Sequence, residues 1–151
     1  MKKYEQTMKT IRPLDRALEP KVRAHLDDLT KPQGSLGRLE ELALQYCLIQ
    51  GTPQPKLGAK RICCLAGDHG VADEGVSAYP KEVTPQMVFN MLAGGAAINV
   101  LTRHMNAELV VVDMGVASPL ENAPGLCRRK IRGGTDSIAV GPAMTRSEAE
   151  A

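Results

Sequence analysis

The sequence predicts an α/β fold in which an N-terminal helical segment leads into a partial parallel sheet. Two short apolar runs, Ile62-Cys63-Cys64-Leu65-Ala66 and Leu109 to Met114, are separated by two helical patterns. Apolar runs of this length bounded by glycine are typical of a parallel strand covered on both faces. Strand, helices and strand then form a βαβ unit with a right-handed crossover. The first run breaks into Gly67-Asp68-His69-Gly70, and the second is followed by Gly115 to Ser118. Ligands of open α/β sheets bind beyond the carboxyl ends of the strands. The loop from Gly67 to Val83 is also longer than most such connections, which favours a functional role. The site is expected there.

Bulk properties bound the rest. A chain of 151 residues, 43% apolar and 24% charged, is an ordinary soluble globular composition of about one domain. A net charge of +2 gives no general attraction to nucleic acid or to a membrane surface. One Phe, three Tyr and no Trp argue against a base-stacking nucleic-acid platform. No apolar run approaches the roughly 20 residues of a membrane span. The opening MKKYEQTMKTIRPLD carries two lysines with no apolar core behind them, so it is not a secretory signal and a cytoplasmic location is expected. Cys47, Cys63, Cys64 and Cys127 have no CxxC spacing, which suggests neither a zinc site nor a redox pair. They are expected to be buried small hydrophobes.

In chain order, residues 1–13 carry no strong pattern. Leu18, Val22, Leu26 and Leu29 recur at helical spacing, and Pro20 places the regular start of that helix near itself. Thr30-Lys31-Pro32-Gln33-Gly34 stops it. Ser35 can cap a second helix with Leu36, Leu39, Leu42, Ala43 and Tyr46 inward. The Pro- and Gly-rich GTPQPKLG, Gly51 to Gly58, reads as a linker, which divides the chain into a helical segment, 1–58, and an α/β domain, 59–151. Thr84 can cap a helix with Pro85 at its first position and Met87, Val88, Met91 and Leu92 as its apolar stripe. Gly94-Gly95 interrupts the pattern, which resumes with Ile98, Val100 and Leu101. Leu126 to Ile131 suggests a third, more exposed strand. Thr145 to Glu148 fits a capping box. A helix that opens six residues before the last one, beside a sheet of two or three strands, suggests a truncated chain.

Several groups are candidates for chemistry. Asp68 and His69, just past a strand, could act as a general base, a metal ligand or a substrate-orienting pair; Asp68 could equally satisfy loop amides. Asp73, Glu74 and Asp113 form no recognised metal-ligand spacing with them, so no metal site is predicted, and an Asp-His metallohydrolase is the weaker reading. Gly94-Gly95-Ala96 could offer amides to a phosphate or could serve close packing. Lys31 and Arg38 could meet an anion or simply be solvated.

Five segments together resemble a known family. KPQGSLGRLEELA (Lys31 to Ala43), AGDHGVADEGVSAYPKEVTPQMV (Ala66 to Val88), GGAAINVL (Gly94 to Leu101), VVDMGV (Val111 to Val116) and GTDSIAVGPAMTRSEA (Gly134 to Ala149) are similar, in order and spacing, to nicotinate-nucleotide–dimethylbenzimidazole phosphoribosyltransferase, the CobT family. The resemblance implies a Rossmann-like domain with a small helical domain, and a homodimer in the full-length enzyme. It implies transfer of phosphoribose from nicotinate mononucleotide to 5,6-dimethylbenzimidazole, giving nicotinate and α-ribazole phosphate for the lower ligand of cobalamin, with no cofactor. It places the base-contacting positions at Tyr79 and Met87, beside Gln86, with Asp68 and His69 shaping the loop beneath. Some members carry Ser and Gln where this chain has Tyr79 and Met87. The family's catalytic glutamate lies beyond Ala151, so this chain by itself is expected to be inactive, an N-terminal part that keeps binding or dimerisation surfaces.

Overall fold

The computed structural model describes residues 3–151, with the side chains from Tyr4 onward. It divides into two compact units, Met1–Gly58 and Ala59–Ala151.

The first unit holds α1 (Lys3–Thr10), α2 (Glu19–Asp27) and α3 (Arg38–Gln50). Nothing in the pattern of residues 1–13 announces α1, because its side chains stay largely exposed and so leave no apolar period to detect. In α2, Pro20 sits in the first turn, where its missing N–H costs nothing. Val22 is buried against Leu44, Cys47 and Leu48 of α3, with Leu18 and Leu26 packed alongside. This corrects the inward face expected for α3. Leu36, Leu39 and Leu42 are exposed, because α3 is apolar on two sides and only one meets α2. The other side, with Leu29, Tyr46, Pro53 and Leu57, lines an open groove of about 720 Å³. Nor is Ser35 the cap. Gly34 and Gly37 both take positive φ, 70° and 51°, which carries the chain through further turns before α3 begins. Glu40 replaces a hydroxyl cap by reaching back to the Leu36 amide at 3.1 Å.

The second unit is a three-stranded parallel sheet in the order β1–β2–β3, formed by Lys60–Gly67, Ala107–Gly115 and Cys127–Arg128. A 3₁₀ turn (Gly70–Glu74), α4 (Val83–Leu92) and α5 (Ala97–His104) connect β1 to β2, and a single-turn α6 (Arg146–Ala149) closes the chain. Val88, fully buried, packs with Ala66, Val111, Val116, Leu120 and Ala123. Burying a side chain of this size contributes about 1.5–3 kcal/mol.

β1 is not covered on both faces as expected. It is the edge strand; Ala66 is buried, but Leu65 is 64% exposed. The cysteines divide accordingly: Cys47 is buried, Cys64 and Cys127 are half-buried and Cys63 is exposed, all four free. α4 begins at Val83, one residue before the expected cap, with Pro85 in its first turn. α5 buries Asn99 and Thr102, whereas Val100 and Leu101 face outward. Asn99 is held inside by its bonds, accepting from Ala96 N at 3.1 Å and donating to Met91 O at 2.9 Å. The capping box forms: Thr145 Oγ1 accepts from Glu148 N, and Glu148 accepts from Thr145 N.

Candidate functional site

The carboxyl end of β1 opens into a cleft of about 470 Å³, within the range of small-molecule sites. Cys64 and Ala66 of β1 and Val88 and Met91 of α4 line it, together with Val71, Ala72, Val76, Tyr79, Val83 and Met87. Most of this lining is apolar. Tyr79 is 71% and Met87 41% exposed, as walls of an open cleft.

Of the five site residues expected from the sequence, Asp68, His69, Tyr79 and Met87 line this cleft. Gln86 does not; it lies exposed beside Met87 on α4. The α4 residues Thr84, Met87, Val88 and Met91 that line the cleft recur at i, i+3, i+4 and i+7, and at about 100° per residue Gln86 falls on the opposite side of the helix.

Asp68 is 6% exposed. Its carboxylate accepts from Ala117 N at 2.7 Å, its amide donates to Gly115 O and its carbonyl accepts from Thr135 N, each of these at 3.0 Å. The bond to Ala117 N is a loop-amide contact of the kind expected for a structural Asp at this position. His69 stands exposed at the mouth.

Residues far along the chain fix the start of the lining loop. Gly70 N donates to Thr135 Oγ1 at 3.3 Å. A Cβ at Gly70 would lie 2.5 Å from Ser137 N and 2.7 Å from Thr135 O, so only glycine fits. The neighbouring strand end is held likewise: Asp113, 2% exposed, accepts from Gly115 N and Val116 N and pairs with Lys130 at 3.3 Å. The sequence places Gly70 and Ala117 at the strand ends but does not reveal their bonds to Thr135 and Asp68, nor the pairing of Lys130 with Asp113, since no local motif marks contacts across such separations.

On the other side of Gly67-Asp68-His69 lies a second cavity of about 260 Å³, lined in part by Met114, Ile131, Thr135 and Met144. Arg132 at its edge pairs with Asp136 at 2.5 Å and Glu148 at 3.4 Å. The Arg132 guanidinium holds the Asp136 carboxyl below the usual carboxylate range. The Thr145 amide and hydroxyl, and then Arg132, do the same for Glu148.

The other candidates have internal partners. The amides of Gly94, Gly95 and Ala96 donate to Met91 O, Asn90 O and Asn99 Oδ1, so the glycines serve packing rather than presenting amides to a phosphate. Lys31 is not a solvated cation; its ammonium pairs with Glu40 at 2.8 Å with both side chains largely buried. Arg38 pairs with Glu41 on the surface. Among the described residues no group of three or more His, Cys, Asp or Glu side chains could hold a metal ion. No helix among them is long and apolar enough to cross a membrane.

Comparison with known proteins adds to this geometry. A family model described as phosphoribosyltransferase, DBI_PRT, matches residues 11–151. The nicotinate-nucleotide–dimethylbenzimidazole phosphoribosyltransferase of Chlorobium chlorochromatii is 60% identical over 146 residues, which cover 97% of this chain and 41% of that protein. The protein of the same name from Geobacter metallireducens is 54% identical over 95% of this chain and 41% of its own length. The crystal structure of the Thermus thermophilus protein of that name superposes with a TM-score of 0.87 at 49% identity, covering 91% of this chain and 42% of that one. The chain thus spans about two fifths of the length of these relatives.

Proposed function

The chain belongs to the DBI_PRT phosphoribosyltransferase family, and from that premise we propose that it carries the aromatic-base site of a phosphoribosyl transfer. The donor is nicotinate mononucleotide, the acceptor is 5,6-dimethylbenzimidazole, and the products are nicotinate and α-ribazole phosphate for the lower ligand of cobalamin. The observation that carries the reading is the apolar cleft of about 470 Å³ with Tyr79 and Met87 in its wall.

In this reading a ring nitrogen of the base attacks C1′ of the ribose, and the C1′–nitrogen bond to nicotinate breaks with its electron pair. The attacking azole gives up its proton to a carboxylate. No oxidation state changes, so the reading assigns no cofactor. The cleft contributes position: the flat ring is desolvated between the thioether of Met87 and the phenol ring of Tyr79 and held at a fixed angle to the donor. The acidic side chain in the lining, Asp68, is committed to the Ala117 amide, and Glu74 accepts from Ser137 Oγ at 3.3 Å. Neither is assigned the proton, which goes to a glutamate outside residues 1–151. The chain by itself therefore binds the base without turning it over, and the full-length enzyme is a cytoplasmic homodimer.

The test is the dissociation constant for dimethylbenzimidazole, measured by calorimetry on the chain and on Tyr79→Ala and Met87→Ala. Each truncation removes apolar ring contact and is expected to weaken binding by about tenfold. Unchanged affinity in both variants contradicts the assignment.

A further inference from the structure

Two apolar surfaces of the helical unit stay uncovered among the described residues. On α1, Tyr4 and Met8, with Ile11 just past its end, recur at i, i+4 and i+7, and all three are exposed. The groove beside α2 and α3 is the other surface. Leu26, Leu29, Leu39 and Leu42 line one part of it, and Pro53, Pro55 and Leu57 line another. Tyr46 Oη donates to Lys56 O at 2.9 Å, which fixes the proline-bearing segment as a wall. An apolar helix stripe of this spacing is what a helix-binding groove accepts. The charges agree as well. Lys2, Lys3, Lys9 and Arg12 outnumber Glu5 in residues 1–12, whereas Asp27 and Asp28, exposed beside the groove-lining Leu26 and Leu29, have no ion pair among the described residues. The connection from α1 to α2 is braced by its own bonds. Arg12 donates to Lys9 O at 2.5 Å and to Ile11 O at 3.1 Å, and Asp15 Oδ1 accepts from Ala17 N at 2.9 Å. Pro13 fixes its own φ between them. A braced connection resists folding α1 back onto its own groove, so the complementary surfaces meet between copies.

We propose that α1 is an exchange arm that docks in the groove of a second copy, which docks its own α1 in return. Such a contact is two-fold and closed, so it stops at a dimer. Each arm buries Tyr4, Met8 and Ile11 against the leucines of the groove, and the basic side chains of the arm meet Asp27 and Asp28. The contact is independent of the base cleft.

The experiment is sedimentation equilibrium of Met8→Lys, of Leu42→Lys and of their equimolar mixture, beside a reference chain with neither change. All carry Leu65→Lys, which removes pairing through the exposed edge strand. Met8 and Leu42 are both exposed, so neither change opens the core. Each variant alone is expected to weaken dimerisation by about tenfold or more, since a charge then enters every arm–groove contact. The mixture is expected to recover part of the loss, because the arm of Leu42→Lys meets the groove of Met8→Lys with both intact. Full dimerisation of either variant overturns the proposal. A mixture no tighter than its components also overturns it, and places α1 on its own groove or against another α1. A reference chain that stays monomeric at every concentration overturns it too.

Discussion

The Asp68 carboxylate accepts a 2.7 Å hydrogen bond from the amide of Ala117, which ties the carboxyl end of β1 to the loop after β2. Two adjacent parallel strands end at the site, and this bond fixes the separation of their loops. Asp68→Ala leaves the amide without its acceptor and is expected to cost about 1–3 kcal/mol in urea denaturation. Asp68→Asn keeps an acceptor oxygen and should cost less. Equal effects would assign the loss to something other than this bond.

Gly70 makes a second prediction, because its backbone lies against residues 135–137 with no room for a Cβ. Gly70→Ala is expected to cost about 1–3 kcal/mol as an overpacking change. It should also weaken dimethylbenzimidazole binding, since the lining loop starts at this joint. Full stability together with full affinity would show that the joint does not set the cleft.

The exposed apolar side chains predict association. Leu65 on the edge strand and Val100 and Leu101 on α5 are each more than half exposed. Unpaired edges and exposed apolar surface favour self-association. Sedimentation of the chain should show concentration-dependent oligomers, reduced in Leu65→Lys. A monodisperse monomer across the concentration range contradicts this.

Acid should loosen the helical unit through Glu40. The Lys31 ammonium, and then the Leu36 amide, hold its carboxyl below the ordinary value of 4.5. The folded chain therefore binds this proton less readily than the unfolded chain does. The contribution is present above the ordinary value and is lost as pH falls through the lowered one. Urea denaturation of Glu40→Gln should depend less on pH than that of the unmodified chain between about pH 5 and pH 3. Identical pH profiles would show that the pair does not contribute.

What could be read in the sequence was what local pattern encodes. The parallel β1–β2 pair, α2 through Leu18, Val22 and Leu26, and the Thr145–Glu148 capping box all follow from spacing or composition. What escaped depends on partners. The inward face of α3 is not legible, because a helix apolar on two sides does not announce which side finds α2. Asn99 and Thr102 were missed because they are buried by virtue of backbone bonds that no hydrophobic period reveals. In the cleft, the Gly67 to Val83 loop was visible from its length and its glycines. The clamp from Thr135 and Ala117 was not, because it joins residues 65 and 49 positions apart.

The most direct test of the aromatic-base site uses the methionine methyl groups as reporters. Met87 and Met91 line the cleft, Met114 and Met144 line the second cavity, and Met8 and Met105 are exposed elsewhere. The chain labelled with 13C at the methionine methyls is titrated with 5,6-dimethylbenzimidazole and followed by NMR. Saturable shifts at Met87 and Met91, with Met114 and Met144 unmoved, are the predicted result. No shift, or shifts confined to Met114 and Met144, would contradict the placement of the base in the cleft beside β1.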